Sequence, residues 1–186
     1  MIYLSAKNLQ VGYNSPIGMP IDLELSKGEI LQIKGANGTG KSTVLKTLIN
    51  EISPLSGQIN WKLKGREISY LPQGGENVNN FNFTLEEILK IYEVPESIKS
   101  YLRDNLRERL WINASGGEKQ LTLILSRITE FTKVLILDEP LNHLDQNARV
   151  LIEDLIKKLM SDDSSISVII VSHLEVQLNK REFILC

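Results

Sequence analysis

A glycine-rich run followed by a lysine and two hydroxyl residues is the most informative chemical feature of the sequence. It matches the pattern G-x-x-x-x-G-K-[ST] and lies between an apolar stretch at 30–33 and a helical pattern at 42–50. Glycines let the backbone N–H groups turn inward, and the start of the following helix adds positive charge. We therefore expect a phosphate-binding loop, in which Lys41 reaches the β- and γ-phosphates and the Ser42 hydroxyl binds Mg²⁺. The loop consists of Gly35, Ala36, Asn37, Gly38, Thr39, Gly40, Lys41, Ser42 and Thr43.

Two acidic residues, Asp138 and Glu139, follow a second apolar run at 134–137. Parallel sheets place ligand chemistry at the carboxyl ends of their strands. We therefore expect Asp138 to hold Mg²⁺ through the water shell of the metal, and Glu139 to accept a proton from an attacking water. Taken alone, the same pattern also fits a strand that leaves the core through a polar turn.

A third segment places Ser115, Gly116 and Gly117 directly before an amphipathic helical pattern. Ser115 and Glu118 have the spacing of a capping box. Because the two glycines leave the amide groups of the helix start uncovered, the segment is suited to receive an anion. Taken alone, the segment favours a well-capped helix over an anion site.

In combination, the three segments resemble the nucleotide-binding ATPase subunit of ABC transporters. That family has a Walker A loop, a signature of the type L-S-G-G-Q and a Walker B strand, in this order. Here the signature reads Ala114, Ser115, Gly116, Gly117, Glu118, so alanine and glutamate replace the usual leucine and glutamine. The similarity covers nearly the whole chain. It implies ATP and Mg²⁺ as cofactors, ATP hydrolysis, and a head-to-tail pair of chains in which each signature helix closes the nucleotide site of the other.

The resemblance also assigns roles to residues outside the three segments. Tyr13 would stack on adenine, Gln73 would bind Mg²⁺ or the attacking water, and His173 would contact the γ-phosphate. Tyr13 also fits a strand-end aromatic, and Gln73 a solvated loop residue. The implied catalytic residues are Lys41, Gln73, Glu139 and His173; the implied metal ligands are Ser42, Gln73 and Asp138; and the implied nucleotide contacts are the whole phosphate loop with Tyr13, Ser115, Gly116, Gly117 and the D-loop residue Asp145.

The pattern of elements predicts an α/β fold, and the resemblance makes it a P-loop NTPase core with a mixed or parallel sheet. We expect one domain over 1–186, with an antiparallel β lobe near the N-terminus and a small helical lobe at about 74–117. The short interval from Gln73 to Ser115 predicts that this lobe is reduced. Thr84 and Glu87 form a capping box at its first helix, and a second helix is predicted from the apolar stripe Ile98, Leu102, Leu106 and Leu110.

Composition narrows the class of protein and its surroundings. With 186 residues, 42% hydrophobic residues and a net charge of −2, the chain is neither disordered nor fibrous, and no nucleic-acid partner is expected. The single cysteine, Cys186, suits a reducing compartment. We expect a cytoplasmic protein at the inner face of the cell membrane, attached through a separate transmembrane permease.

Several functions compete at this point. The main expectation is a transporter motor subunit; the alternative is a soluble ABC ATPase acting in translation or metal-cluster assembly, because the D-loop at 142–145 also resembles the translation-associated ABC-F branch. A GTPase is disfavoured because no N-K-x-D motif occurs. A small-molecule kinase does not explain the segment 115–118, and a non-hydrolysing clamp does not explain Glu139 and His173. Phe81 and Phe83 are candidate anchors for the permease, or part of the lobe's own core.

Overall fold

The computed structural model describes residues 1–74, 82–162 and 166–185 of the chain. A three-stranded antiparallel sheet forms the N-terminal part. It consists of β1 (Ile2–Gln10), β2 (Ile21–Ser26) and β4 (Ser56–Trp61), with β1 in the middle. The predicted antiparallel lobe near the N-terminus is therefore confirmed.

A second, five-stranded sheet forms the centre of the molecule. Its strands are β3 (Ile30–Lys34), β5 (Ile68–Leu71), β6 (Val134–Asp138), β7 (Ser167–Ser172) and β8 (Arg181–Ile184). They stand in the order β5-β6-β7-β3-β8, and all neighbouring pairs run parallel. Because β3, β6 and β7 lie side by side in one direction, their carboxyl ends bring distant segments to one edge of the sheet.

Six α-helices accompany the sheets within the described residues. They are α1 (Lys41–Leu48), α2 (Leu85–Ile91), α3 (Glu96–Lys99), α4 (Asp104–Arg107), α5 (Gly116–Leu125) and α6 (Gln146–Asp162). Helices α2, α3 and α4 lie inside the interval 74–117, where the sequence predicts a small helical lobe; the limits of that lobe stay a proposal. No helix in the described ranges is long and apolar enough to cross a bilayer.

The parallel sheet separates two apolar cores. Alternate residues of each strand enter opposite cores, as in β6, where Val134 and Ile136 face the antiparallel sheet and α1, and Leu135 and Leu137 face α5 and α6. This two-sided burial explains why the central strands read as continuous apolar runs.

Local signals in the sequence had different outcomes. Both capping boxes are confirmed, at Thr84 and at Ser115. The single helix predicted from the stripe at 98–110 is wrong, because α3 and α4 are separate. The Ser100 hydroxyl donates to the carbonyl of Ser97, and Arg103 is extended with ψ 142°, so a local side-chain bond competes with helix continuation. Strand β8 was not predicted from the sequence.

Candidate functional site

The loop between β3 and α1 wraps around the lysine at its end. Lys41 is buried, and its Nζ donates to the carbonyls of Gly35 at 2.9 Å and Ala36 at 3.0 Å. Gly40 requires its residue type, because its φ is 90° and an added Cβ would lie 2.7 Å from a methyl carbon of Ile17. The loop thus surrounds an ammonium group with the geometry that the sequence pattern predicts.

Asp138, the last residue of β6, has one oxygen that fits a metal. Its Oδ1 is buried and finds no hydrogen-bond partner among the described residues, while Oδ2 lies 3.5 Å from the Tyr70 hydroxyl. Burial raises the pKa of the Asp138 carboxyl, and hydrogen bonds from Ser42 and Tyr70 oppose that rise. In the described part of the chain, no group of three or more His, Cys, Asp or Glu residues forms a metal cage. A carboxylate and a hydroxyl beside a phosphate-binding loop are the few protein ligands that Mg²⁺ takes when phosphates supply the rest.

Glu139 and His173 meet although 34 positions separate them in the chain. The Nδ1 atom of His173 lies 3.0 Å from Oε2 and 3.2 Å from Oε1 of Glu139. Glu139 is buried, it lies 3.4 Å from the Nζ of Lys41, and its N–H donates to the carbonyl of Val171. Its φ of 50° is a left-handed conformation that side chains with a Cβ rarely adopt. A carboxylate, an imidazole and an ammonium group therefore occupy one cluster.

This cluster borders a cavity of about 690 Å³. Gln73 contributes to its wall, so the loop, Glu139, His173 and Gln73 come together as the sequence predicts. The wall also contains two residues of the D-loop, Asn142 and His143. It further contains three residues that only proximity in space singles out: Ile17, Arg149 and Leu174.

The signature segment borders a different cavity, of about 590 Å³. Ser115, Gly116, Gly117 and Asp145 line it. Among the residues that line the first cavity, only His143 also lines this one. The predicted nucleotide contacts that line a cavity therefore fall into two groups. The structure does not bring them together.

Two further features belong to the surroundings of these cavities. Tyr13 follows β1 and has 63% of its surface exposed; it is not among the lining residues of either cavity. Glu118, which replaces the usual glutamine, accepts from Nη1 of Arg109 at 2.7 and 2.8 Å and caps the N–H of Ser115. The carboxylate in the signature is thus balanced by a cation that sequence reasoning did not single out.

Comparison with known proteins agrees with this geometry. Residues 19–142 match the family model described as ABC transporter. The chain belongs to the ABC transporter family. The matched range contains the phosphate loop, the signature and the acidic strand end, whereas Asp145 and His173 lie outside it.

Individual relatives of this ABC protein span very different lengths. The ABC transporter ATP-binding protein YfmM of Bacillus subtilis is 32% identical over 92% of this chain, which covers only 33% of that relative. The zinc import ATP-binding protein ZnuC of Wigglesworthia glossinidia brevipalpis is 30% identical over 98% of the chain and 82% of the relative. In fold, the chain matches MJ1267, an ATP-binding cassette of an ABC transporter solved in its ADP conformation, with a TM-score of 0.83, 20% identity, and coverage of 100% of this chain and 87% of that one.

Proposed function

We propose that this ABC protein is the ATP-binding and ATP-hydrolysing subunit of a transporter and energises a separate membrane permease. One observation carries the proposal: Lys41, Glu139 and His173 meet at the carboxyl ends of three adjacent parallel strands, beside a cavity large enough for a nucleotide. A phosphate-binding loop alone would support nucleotide binding. A buried carboxylate paired with an imidazole next to it adds the groups needed for hydrolysis.

In this proposal each side chain has one task. Lys41 leaves the loop carbonyls and binds the β- and γ-phosphates, Glu139 takes the proton of the attacking water, and His173 holds Glu139 and the γ-phosphate in line. Gln73, which also lines the cavity, orients the same water. Ser42, Asp138 and Gln73 would hold Mg²⁺, which would neutralise phosphate charge. Tyr13, exposed before nucleotide arrives, stacks on adenine.

The second part of the proposal is a head-to-tail pair of chains. Ser115, Gly116, Gly117 and Asp145 lie at their own cavity, and the N–H groups of Gly116 and Gly117 in the first helix turn are available to an anion from outside the chain. A second ATPase subunit that presents its own phosphate loop there would supply the γ-phosphate. Two nucleotides would then be enclosed between two chains.

The third part concerns the membrane. The zinc import protein ZnuC is named for transport and matches 98% of this chain, which supports a transport role over a role in translation. The small helical lobe at about 74–117 is the proposed contact with the permease, so that the subunit works at the inner face of the membrane. Phe81 lies outside the described residues, and Phe83 is 38% exposed beside α2.

The test combines chemistry and location. The purified chain should hydrolyse MgATP, and affinity-tagged chain from native cells should copurify with one multi-span membrane protein after detergent solubilisation. Copurification with ribosomes in place of a membrane protein would favour the translation alternative. Absence of MgATP hydrolysis by both the purified chain and the isolated complex would contradict the ATPase assignment itself.

A further inference from the structure

A glutamine in the middle of the central sheet carries the inference. Gln32 is fully buried in β3, between the apolar residues Leu31 and Ile33. Its Nε2 donates to the backbone carbonyl of Leu174 at 2.8 Å, but its Oε1 has no hydrogen-bond partner among the described residues. An unpaired buried polar atom costs about 1–3 kcal/mol. Because the unpaired Oε1 costs stability, the presence of a glutamine at this buried position needs an explanation other than stability.

The bond ends one residue beyond the catalytic histidine of the proposed function. Leu174 follows His173, and the chain from there to Asn179 contains no strand or helix. A backbone without a ladder of hydrogen bonds needs individual bonds to hold one conformation. The bond from Gln32 therefore ties the residue that follows His173 to the interior of the sheet.

Other polar groups hold the same segment. The N–H of Gln177 donates to the buried Oε1 of Glu153 at 2.9 Å, and the N–H of Leu174 donates to the Ser172 hydroxyl at 3.0 Å. Lys34, two residues after Gln32 on the same face of β3, pairs with Glu175 at the surface. One strand thus reaches residues 174 and 175 from two positions.

Strand β3 also leads directly into the phosphate loop, since Lys34 precedes Gly35. The strand that sets the start of the nucleotide loop is therefore hydrogen-bonded, through side chains, to the segment that carries His173. A shift of one segment relative to the other would weaken the hydrogen bond from Gln32 to Leu174, because a hydrogen bond weakens steeply when its length and angle depart from the optimum.

We propose that Gln32 is a positioning residue that keeps His173 in line with Glu139 by holding the carbonyl of Leu174. The inference rests on the catalytic role of His173 in the proposed function. Gln32 contacts no nucleotide in this arrangement; it acts through the histidine segment. A misplacement of about 1 Å in a catalytic group can cost on the order of 100-fold in rate, so one interior bond is enough to matter.

The test is the variant Q32M, which keeps chain length and volume but cannot donate. ATP hydrolysis is measured in native and His173→Ala backgrounds, together with ATP affinity and the melting temperature. In the native background we expect kcat to fall about 10- to 100-fold with ATP affinity unchanged. The melting temperature should stay the same or rise, because the unpaired Oε1 is removed. In the His173→Ala background Q32M should change kcat by less than about twofold, since the residue it positions is gone.

Ser167→Ala is the matched control. Ser167 is equally buried on the neighbouring strand β7, and its hydroxyl likewise bonds loop backbone, donating to Ser26 and accepting from Gly28, at the opposite end of the sheet. This variant should lower the melting temperature and leave kcat unchanged. Q32N, one methylene too short to reach Leu174, gives a second version of the test if Q32M does not fold, and should show the same loss of kcat.

Two results would overturn the inference: native kcat in both Gln32 variants, or an equal loss from Q32M with and without His173. A failure of the proposed function would give a different experimental result. In that case His173→Ala itself retains the native rate, whatever the Gln32 variants do.

Discussion

The cavity beside the phosphate loop (the nucleotide cavity) and the start of α5 (the signature edge) differ in where their polar groups find hydrogen-bond and ionic partners. Around the nucleotide cavity the buried charges bind one another: Lys41 contacts two loop carbonyls and Glu139, and Glu139 contacts His173. At the signature edge the polar groups lie near the surface, and Glu118 is balanced by Arg109, whose side chain is 40% exposed.

This difference indicates two ways of preparing for the same ligand. The first region is assembled within one chain, because adjacent strands β6 and β7 force Glu139 and His173 together. The second region is a capped helix start that borders a cavity which the phosphate loop of its own chain does not line. In the proposed function the two regions belong to one site only when two chains meet.

The largest expected effect breaks the first region. Glu139→Gln keeps the size of the side chain and its contact with His173 but removes the base. ATP hydrolysis should fall by about 10²- to 10⁴-fold, while ATP binding persists. Steady-state hydrolysis and equilibrium nucleotide binding measure the two quantities. Turnover at the native rate would show that Glu139 is not the base.

The next effect breaks the second region. In the Glu139→Gln background, ATP should drive dimer formation and ADP should not, because the γ-phosphate supplies the charge that the helix start binds. Ser115→Arg should abolish this dimer and leave ATP binding by the monomer intact. Size exclusion with each nucleotide is the measurement. An ATP-dependent dimer that survives Ser115→Arg would contradict the head-to-tail arrangement.

Two adjacent glycines of the second region, Gly116 and Gly117, differ in how closely α6 packs against them. A Cβ added at Gly117 would lie 2.6 Å from the Cβ of Ala148 on α6, whereas one at Gly116 meets only a methyl of Leu144 at 3.7 Å. Gly117→Ala should cost about 1–3 kcal/mol, which corresponds to several degrees in melting temperature for a chain of this size. Gly116→Ala, the control, should be near neutral. Equal melting temperatures for the two variants would contradict the close packing of α5 on α6.

The smallest expected effect concerns Glu175, the second residue after His173. Hydrogen bonds from Lys34 and Lys180 lower the pKa of Glu175 from 4.5 to about 2. A lowered carboxyl pKa in the folded state stabilises it above the unfolded pKa, and the effect is lost as pH falls through the folded value. Glu175→Gln should therefore lower the melting temperature slightly at pH 7, and the difference from the native protein should shrink below about pH 4.5. Melting curves across that range, with Lys157→Ala as a control for an exposed pair elsewhere, measure it.

Local patterns in the sequence predicted much of the site. The phosphate loop, the acidic end of β6 and the capping boxes at Thr84 and Ser115 each depend on residues at most nine positions apart, and hydrogen bonds over such short separations fix the backbone locally. The interval that failed, at 98–110, is also local. There the apolar residues are at helical spacing, but the Ser100 hydroxyl competes for the carbonyl of Ser97, and α3 and α4 are separate.

Contacts between distant segments were decided only by the tertiary structure. The apposition of Glu139 with His173 and of Gln32 with Leu174, the pairing of β8 with β3, and the separation of the two cavities all follow from the strand order β5-β6-β7-β3-β8. That order depends on which crossover buries most apolar surface, a property of the whole chain that no short window of residues contains. The types of the reacting groups were therefore determined by the sequence, and their meeting by the sheet.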